Sequence, residues 1–119
     1  MTAKPQRYQV SELNRYATAL FHAAGMPRDR AAIVAELLVE ADAMGHDTHG
    51  LNLGAKYLDH LQSGIMAATG EPEVISDRGA TVLWDGGYLS GVWLTWKAIQ
   101  TACERARQYG TVTLSIRRS

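Results

Sequence analysis

The sequence predicts a mixed α+β fold: a helical hairpin and a third helix, then small strands, a long helix and a final strand. Two observations predict it. Apolar residues recur at spacings of three and four over residues 13–44 and again over 92–106, the period of amphipathic helices. Short β-branched runs at Val74-Ile75, Thr81–Trp84 and Thr111–Ile116 are bounded by turn-forming residues. The chain has 119 residues, which suits one modest domain. It divides into a helical segment, residues 1–64, and an incomplete α/β segment, residues 65–119, expected to form one compact unit.

The first helix is expected to start at Ser11, a residue type that caps free backbone N–H groups. Leu13, Tyr16, Ala17, Leu20, Phe21 and Ala24 form its apolar face, and Gly25 supplies a left-handed stop. Pro27 suits the opening of a second helix. That helix carries Ile33, Val34, Leu37, Leu38, Ala41 and Met44 and stops at Gly45. The short turn makes the two an antiparallel hairpin, packed through Leu20, Phe21, Ile33 and Leu37. A third helix is predicted from about Gly50 to Ser63, ended by Gly64.

Val74-Ile75 and Thr81–Trp84 are strand candidates, the second closed by Asp85-Gly86-Gly87. Ser90 is placed to cap a long helix that Gly110 ends. Val92, Trp96, Ile99, Cys103 and Ala106 are read as its inner side, with Trp93 beside the main stripe and only partly covered. Thr111–Ile116 is the last strand. A strand fed by a helix normally sits inside a larger sheet, so an open edge is expected there.

Twelve basic and twelve acidic side chains give no net charge, which argues against a nucleic-acid footprint. No apolar run approaches the roughly 20 residues of a membrane span, and the N-terminus has no secretory apolar region. The single cysteine, Cys103, is expected to be a buried free thiol in a reducing, cytoplasmic setting.

The stretch Gly45-His46-Asp47-Thr48-His49-Gly50-Leu51 concentrates proton-handling side chains at a helix boundary. Metal binding is not expected, because two nearby histidines fall short of the three or more ligands a zinc site requires. Nucleophilic hydrolysis lacks a Gly-x-Ser-x-Gly elbow. Two readings stay open. Asp47 or Thr48 caps the third helix while His46 covers the end of the second. Alternatively, a histidine at a helix start, oriented by a neighbouring hydroxyl, exchanges a proton with a bound carbonyl compound, such as a 2-keto acid.

The run Ala41-Asp42-Ala43-Met44-Gly45-His46-Asp47-Thr48-His49-Gly50-Leu51, then Tyr57-Leu58 and Gly64, resembles the type-2 malate/L-lactate dehydrogenase family. Its elements recur in order: Gly70-Glu71-Pro72-Glu73-Val74, Thr81–Gly86, Gly91, Ala98-Ile99, Ala106-Arg107, Gly110 and Arg117-Arg118-Ser119. The resemblance implies a non-Rossmann, NAD- or NADP-dependent oxidoreductase. Its substrates would be 2-keto or 2-hydroxy acids, ureidoglycolate, diketogulonate or cyclic imino acids. The absence of a Gly-x-Gly-x-x-Gly after a strand agrees with this. The resemblance makes His49 the catalytic histidine and Thr48 a substrate contact; it assigns no cofactor-binding residue.

Two departures stand out. Leu53 occupies the position where many members carry an arginine for the substrate carboxylate, and Lys56 lies about one turn further on. The length is similar to an N-terminal third, without most of the nucleotide-holding segments or a later acidic partner of the histidine. The chain alone is therefore expected to bind NAD(P)H weakly and to be inactive. An alternative is a non-catalytic module that docks a partner or forms a homodimer or higher homo-oligomer, its open strand covered by another copy.

Overall fold

The computed structural model describes residues 3–119. Helix α1 spans Val10–Ala23 and starts ahead of the predicted Ser11 cap. The carbonyl of Gln9 accepts from the amides of Glu12 and Leu13 at 3.1 Å, so Ser11 lies inside the first turn. Gly25, at φ +109°, ends the helix as predicted, and Met26 N–H donates to the Phe21 carbonyl. Helix α2 spans Arg28–Ala43 from the Pro27 cap. Ala17 and Phe21 share a buried cluster with Ala31, Val34, Ala35 and Leu38. The alanines let the helices approach closely, so the packing centres on these residues. Leu20 at the rim is 36% exposed, while Ile33 and Leu37 are half-buried.

The third helix is shorter than predicted. Two 3-10 turns, Asp47–His49 and Leu51–Leu53, precede helix α3, Gly54–Ser63. Between the turns Gly50 is extended, with φ −97° and ψ −151°, which interrupts the helical path. Neither Asp47 nor Thr48 caps a helix: the starts of both turns and of α3 carry no side-chain cap.

Strand β1, Glu73–Asp77, pairs antiparallel with β2, Thr81–Asp85, with an irregularity between Val74 and Ser76. Strand β3, Thr113–Arg117, pairs parallel with β2 in the register Val82 to Leu114 and Trp84 to Ile116. The sheet order is β1-β2-β3, so among the described residues β3 has one unpaired edge. Helix α4, Gly91–Tyr109, makes the crossover between β2 and β3. Ser90 caps it as predicted, accepting from Trp93 N–H at 3.5 Å.

The inner side of α4 differs from the predicted one. Trp93, Leu94 and Ala98 are buried, whereas Ile99 is 53% exposed and Cys103 is exposed rather than buried. The helix must touch two things at once. Trp93 and Leu94 join the hairpin cluster, and Ala98 packs with Val82 and Trp84 of the sheet. Trp93 is covered by the Arg30 guanidinium, 3.9 Å from the ring centroid, with Lys97 at 5.1 Å on the same ring. Both cations pair with Glu71, which ties α2, α4 and the loop before β1.

Two carboxylates lock the sheet. Asp77 accepts from both terminal nitrogens of Arg105 at 2.6 Å and from Gly79 N–H at 2.9 Å. Asp85, 3% exposed, accepts from Arg118, from Gly87 N–H at 2.9 Å and from Arg117 at 2.9 Å. These hydrogen bonds hold both carboxyls at a pKa of about 2, Arg105 contributing most for Asp77 and Arg118 for Asp85. A carboxyl whose folded pKa lies below its unfolded value stabilises the fold above the unfolded pKa. That contribution is lost as pH falls through the folded pKa. Stability is expected to decline between about pH 4 and about pH 2, and an Asp77→Asn/Asp85→Asn double variant to decline less steeply. Thermal melts across that range check this; equal slopes for the two proteins would contradict it.

Candidate functional site

The site is built from the end of α2. Gly45, at φ +84°, turns the chain out of the helix, and His46 N–H donates to the Ala41 carbonyl at 2.8 Å. His49 N–H donates to the His46 carbonyl at 2.9 Å, closing the Asp47–His49 turn. The turn exposes all three of its side chains. The structure brings Thr48 and His49 together: the Thr48 hydroxyl lies 2.9 Å from Nδ1 of His49, a hydrogen bond between neighbours in sequence. Such a bond restrains the imidazole and engages Nδ1.

Below the turn, Gly50 is buried. Asp42 Oδ2 accepts from Leu51 N–H at 2.9 Å, and Leu53 N–H donates to the Gly50 carbonyl at 3.0 Å. Asp42 and Gly50 form a local framework that the sequence reading did not anticipate, having taken Gly50 as the start of the third helix and both residues only as parts of a motif. A signal was available. Glu40 and Asp42 fall in the last turn of α2, which has no basic residue, although a helix C-terminus disfavours negative charge. An acid in that place calls for a donor outside the helix. Asp85 was likewise read only as part of a turn, although two consecutive arginines lie near the end of the chain to meet it.

Leu53 is half-buried and Lys56 is exposed on the first turn of α3. Lys56 and His60 border a cleft of about 320 Å³ that also reaches Tyr57, Tyr88 and Leu89. Thr48 and His49 lie outside this cleft, on their own exposed turn. Among the described residues, no cluster of three or more His, Cys, Asp or Glu is placed to hold a metal ion. Among the described residues, no helix is long and apolar enough to cross a membrane.

A sequence profile described as malate/L-lactate dehydrogenase matches residues 8–119. Among curated proteins, the L-lactate dehydrogenase of Cupriavidus necator is 30% identical over 113 residues, covering 95% of this chain and 32% of that protein. Hydroxycarboxylate dehydrogenase B of Escherichia coli O157:H7 is 26% identical over 113 residues, covering 95% of this chain and 31% of the relative. Among solved structures, malate dehydrogenase from Pyrococcus horikoshii OT3 superposes with a TM-score of 0.92 at 26% identity. That match covers 96% of this chain and 33% of the other. The chain thus spans about a third of the length of the relatives it matches.

Proposed function

Since the chain belongs to the malate/L-lactate dehydrogenase family, matching it over residues 8–119, we propose that it supplies the proton-handling part of an oxidoreductase. The substrate class is a 2-keto or 2-hydroxy acid, or a related compound. His49 is the catalytic residue in this reading and Thr48 the substrate-binding residue that also orients it. The observation that carries the reading is the Thr48 hydroxyl 2.9 Å from Nδ1 of an exposed His49. With Nδ1 engaged, Nε2 is the nitrogen that meets substrate. In reduction the Nε2 proton passes to the ketone oxygen, which becomes the hydroxyl of the product; in oxidation Nε2 takes it back. The names of the relatives, L-lactate and hydroxycarboxylate dehydrogenase, support an acid substrate. Leu53 offers no charge to its carboxylate, and Lys56 is the nearest cation in sequence.

NAD or NADP is the cofactor that a dehydrogenase of this family implies. Neither the end of β3 nor the larger cavity offers a dinucleotide a phosphate site. Arg117 and Arg118 at the end of β3 are engaged by Asp85. The cavity of about 510 Å³ beside α4 is lined by Leu37, Tyr57, Val92, Trp96 and Ile99, with no basic side chain. A pyrophosphate requires converging N–H or cationic donors. We assign no residue of this chain to the cofactor. Titration of the chain with NADH or NADPH is expected to show affinity weaker than micromolar; a micromolar Kd would overturn this.

The functional reading is tested by a hybrid in which residues 8–119 replace the matching third of the Cupriavidus necator L-lactate dehydrogenase. The hybrid is expected to oxidise NAD(P)H when supplied with a 2-keto acid from a panel. A folded hybrid inactive with every acid, where the parent enzyme is active, would contradict the reading.

A second reading is favoured by one surface. Ile99 is 53% exposed beside half-buried Val92 and Trp96, and among the described residues β3 keeps an unpaired edge. Such edges and apolar faces pair with other chains. This reading is of a self-associating module, a homodimer or a higher homo-oligomer; the free thiol of Cys103 supports a cytoplasmic setting for either reading. Sedimentation equilibrium is expected to show a species above 13.0 kDa; a single monomer mass at all concentrations would reject it.

A further inference from the structure

We propose that Asp42 is a positioning residue: from the last turn of α2, its carboxylate fixes the Gly50-Leu51 hinge and so sets where His49 leaves the backbone. The inference rests on the reading of His49 as the reacting group. The geometry, however, can be measured without turnover.

Asp42 reaches across nine residues of sequence to accept from Leu51 N–H, 2.9 Å from Oδ2. A Cβ built on Gly50 would lie 1.9 Å from Oδ1 and 2.2 Å from Cγ of Asp42. Glycine is needed at position 50 because the carboxylate fills the space a side chain would take. The backbone there is extended at negative φ, so the requirement is one of volume rather than left-handed conformation.

The consequence for His49 is direct. Its own N–H is tied to His46 on one side, and the next residue is the hinge that Asp42 occupies on the other. The imidazole then depends on two supports: the backbone at 49–51, held by Asp42, and the Thr48 hydroxyl on Nδ1. An acid at a helix C-terminus runs against the helix dipole. Its retention here is explained by the donor it meets outside the helix, since departures from local preference concentrate where a site is being shaped.

The test is the ring ¹⁵N spectrum of His49 in the labelled 119-residue chain, compared among wild type, Asp42→Asn, Asp42→Ala and Gly50→Ala. Asp42→Asn keeps a side-chain oxygen for Leu51 N–H and is expected to retain the wild-type ring shifts. Asp42→Ala is expected to move them toward the values of an unstructured peptide containing Asp-Thr-His-Gly. Its Leu51 amide should exchange about fivefold faster or more, while the Phe21 and Leu94 amide signals stay in place. If Asp42→Ala does not fold, Gly50→Ala carries the test, because its Cβ displaces the carboxylate with Asp42 intact. Unmoved His49 ring shifts in the folded variant would overturn the proposal, as would an Asp42→Asn shift as large as that of Asp42→Ala. Loss of activity is not the readout. A catalytically silent His49 would therefore defeat the functional reading alone, and an unmoved ring would defeat this inference alone.

Discussion

Leu94→Ala is expected to lower the unfolding free energy by about 3–5 kcal/mol, a large part of the ~5–15 kcal/mol available to a domain of ordinary stability. Leu94 is fully buried and shares its cluster with Phe21, Val34 and Leu38 of the hairpin. Its other side reaches the end of β2, where its Cδ1 would lie 2.6 Å from a Cβ placed on Gly86. No small rearrangement fills the cavity left by alanine, because the walls come from both helices of the hairpin and from the sheet. Urea denaturation followed by circular dichroism checks this. Glu104→Ala, on the exposed side of the same helix, is the control and is expected to change stability by about 0.5 kcal/mol or less. We propose that residues 1–64 and 65–119 unfold together. A Leu94→Ala transition that splits in two, with the hairpin melting separately, would contradict that reading.

Most of the element order was legible because its signals are local. Gly25, Gly45, Gly64 and Gly110 each adopt positive φ where a helix was predicted to stop, and the Ser90 cap needs only the residues beside it. What escaped the sequence depends on distant partners. Helix α4 carries two overlapping apolar stripes, and period alone favours the one through Val92, Trp96, Ile99 and Cys103. The hairpin and the sheet instead select Trp93, Leu94 and Ala98. Trp93 is buried in the hairpin cluster, and Arg30, on another helix, supplies a cation for its face. The break at Gly50 was hidden for the same reason: nothing within the loop announces that Asp42 will fill the space beside it. At the candidate site, the Thr48–His49 pair was legible because the residues are adjacent. The frame beneath it was signalled only indirectly, by acids at the end of α2, because it is closed by a contact nine residues away.

Replacing His49 by alanine carries the largest expected effect on chemistry. A positioned general acid contributes about 10²–10⁴-fold to rate, so removing the proton donor should cost that factor in kcat. Thr48→Val keeps the ring and removes only the hydroxyl, whose hydrogen bond is worth about 1 kcal/mol. It is expected to cost roughly fivefold. The order of the two effects matters, because a histidine that merely packs would make them alike. The most direct measurement is kcat for 2-keto acid reduction by the hybrid enzyme with and without His49→Ala, each checked for native circular dichroism. Proton donation by His49 predicts a fall of about 10²-fold or more; a folded His49→Ala hybrid that keeps the kcat of the unsubstituted hybrid would contradict it.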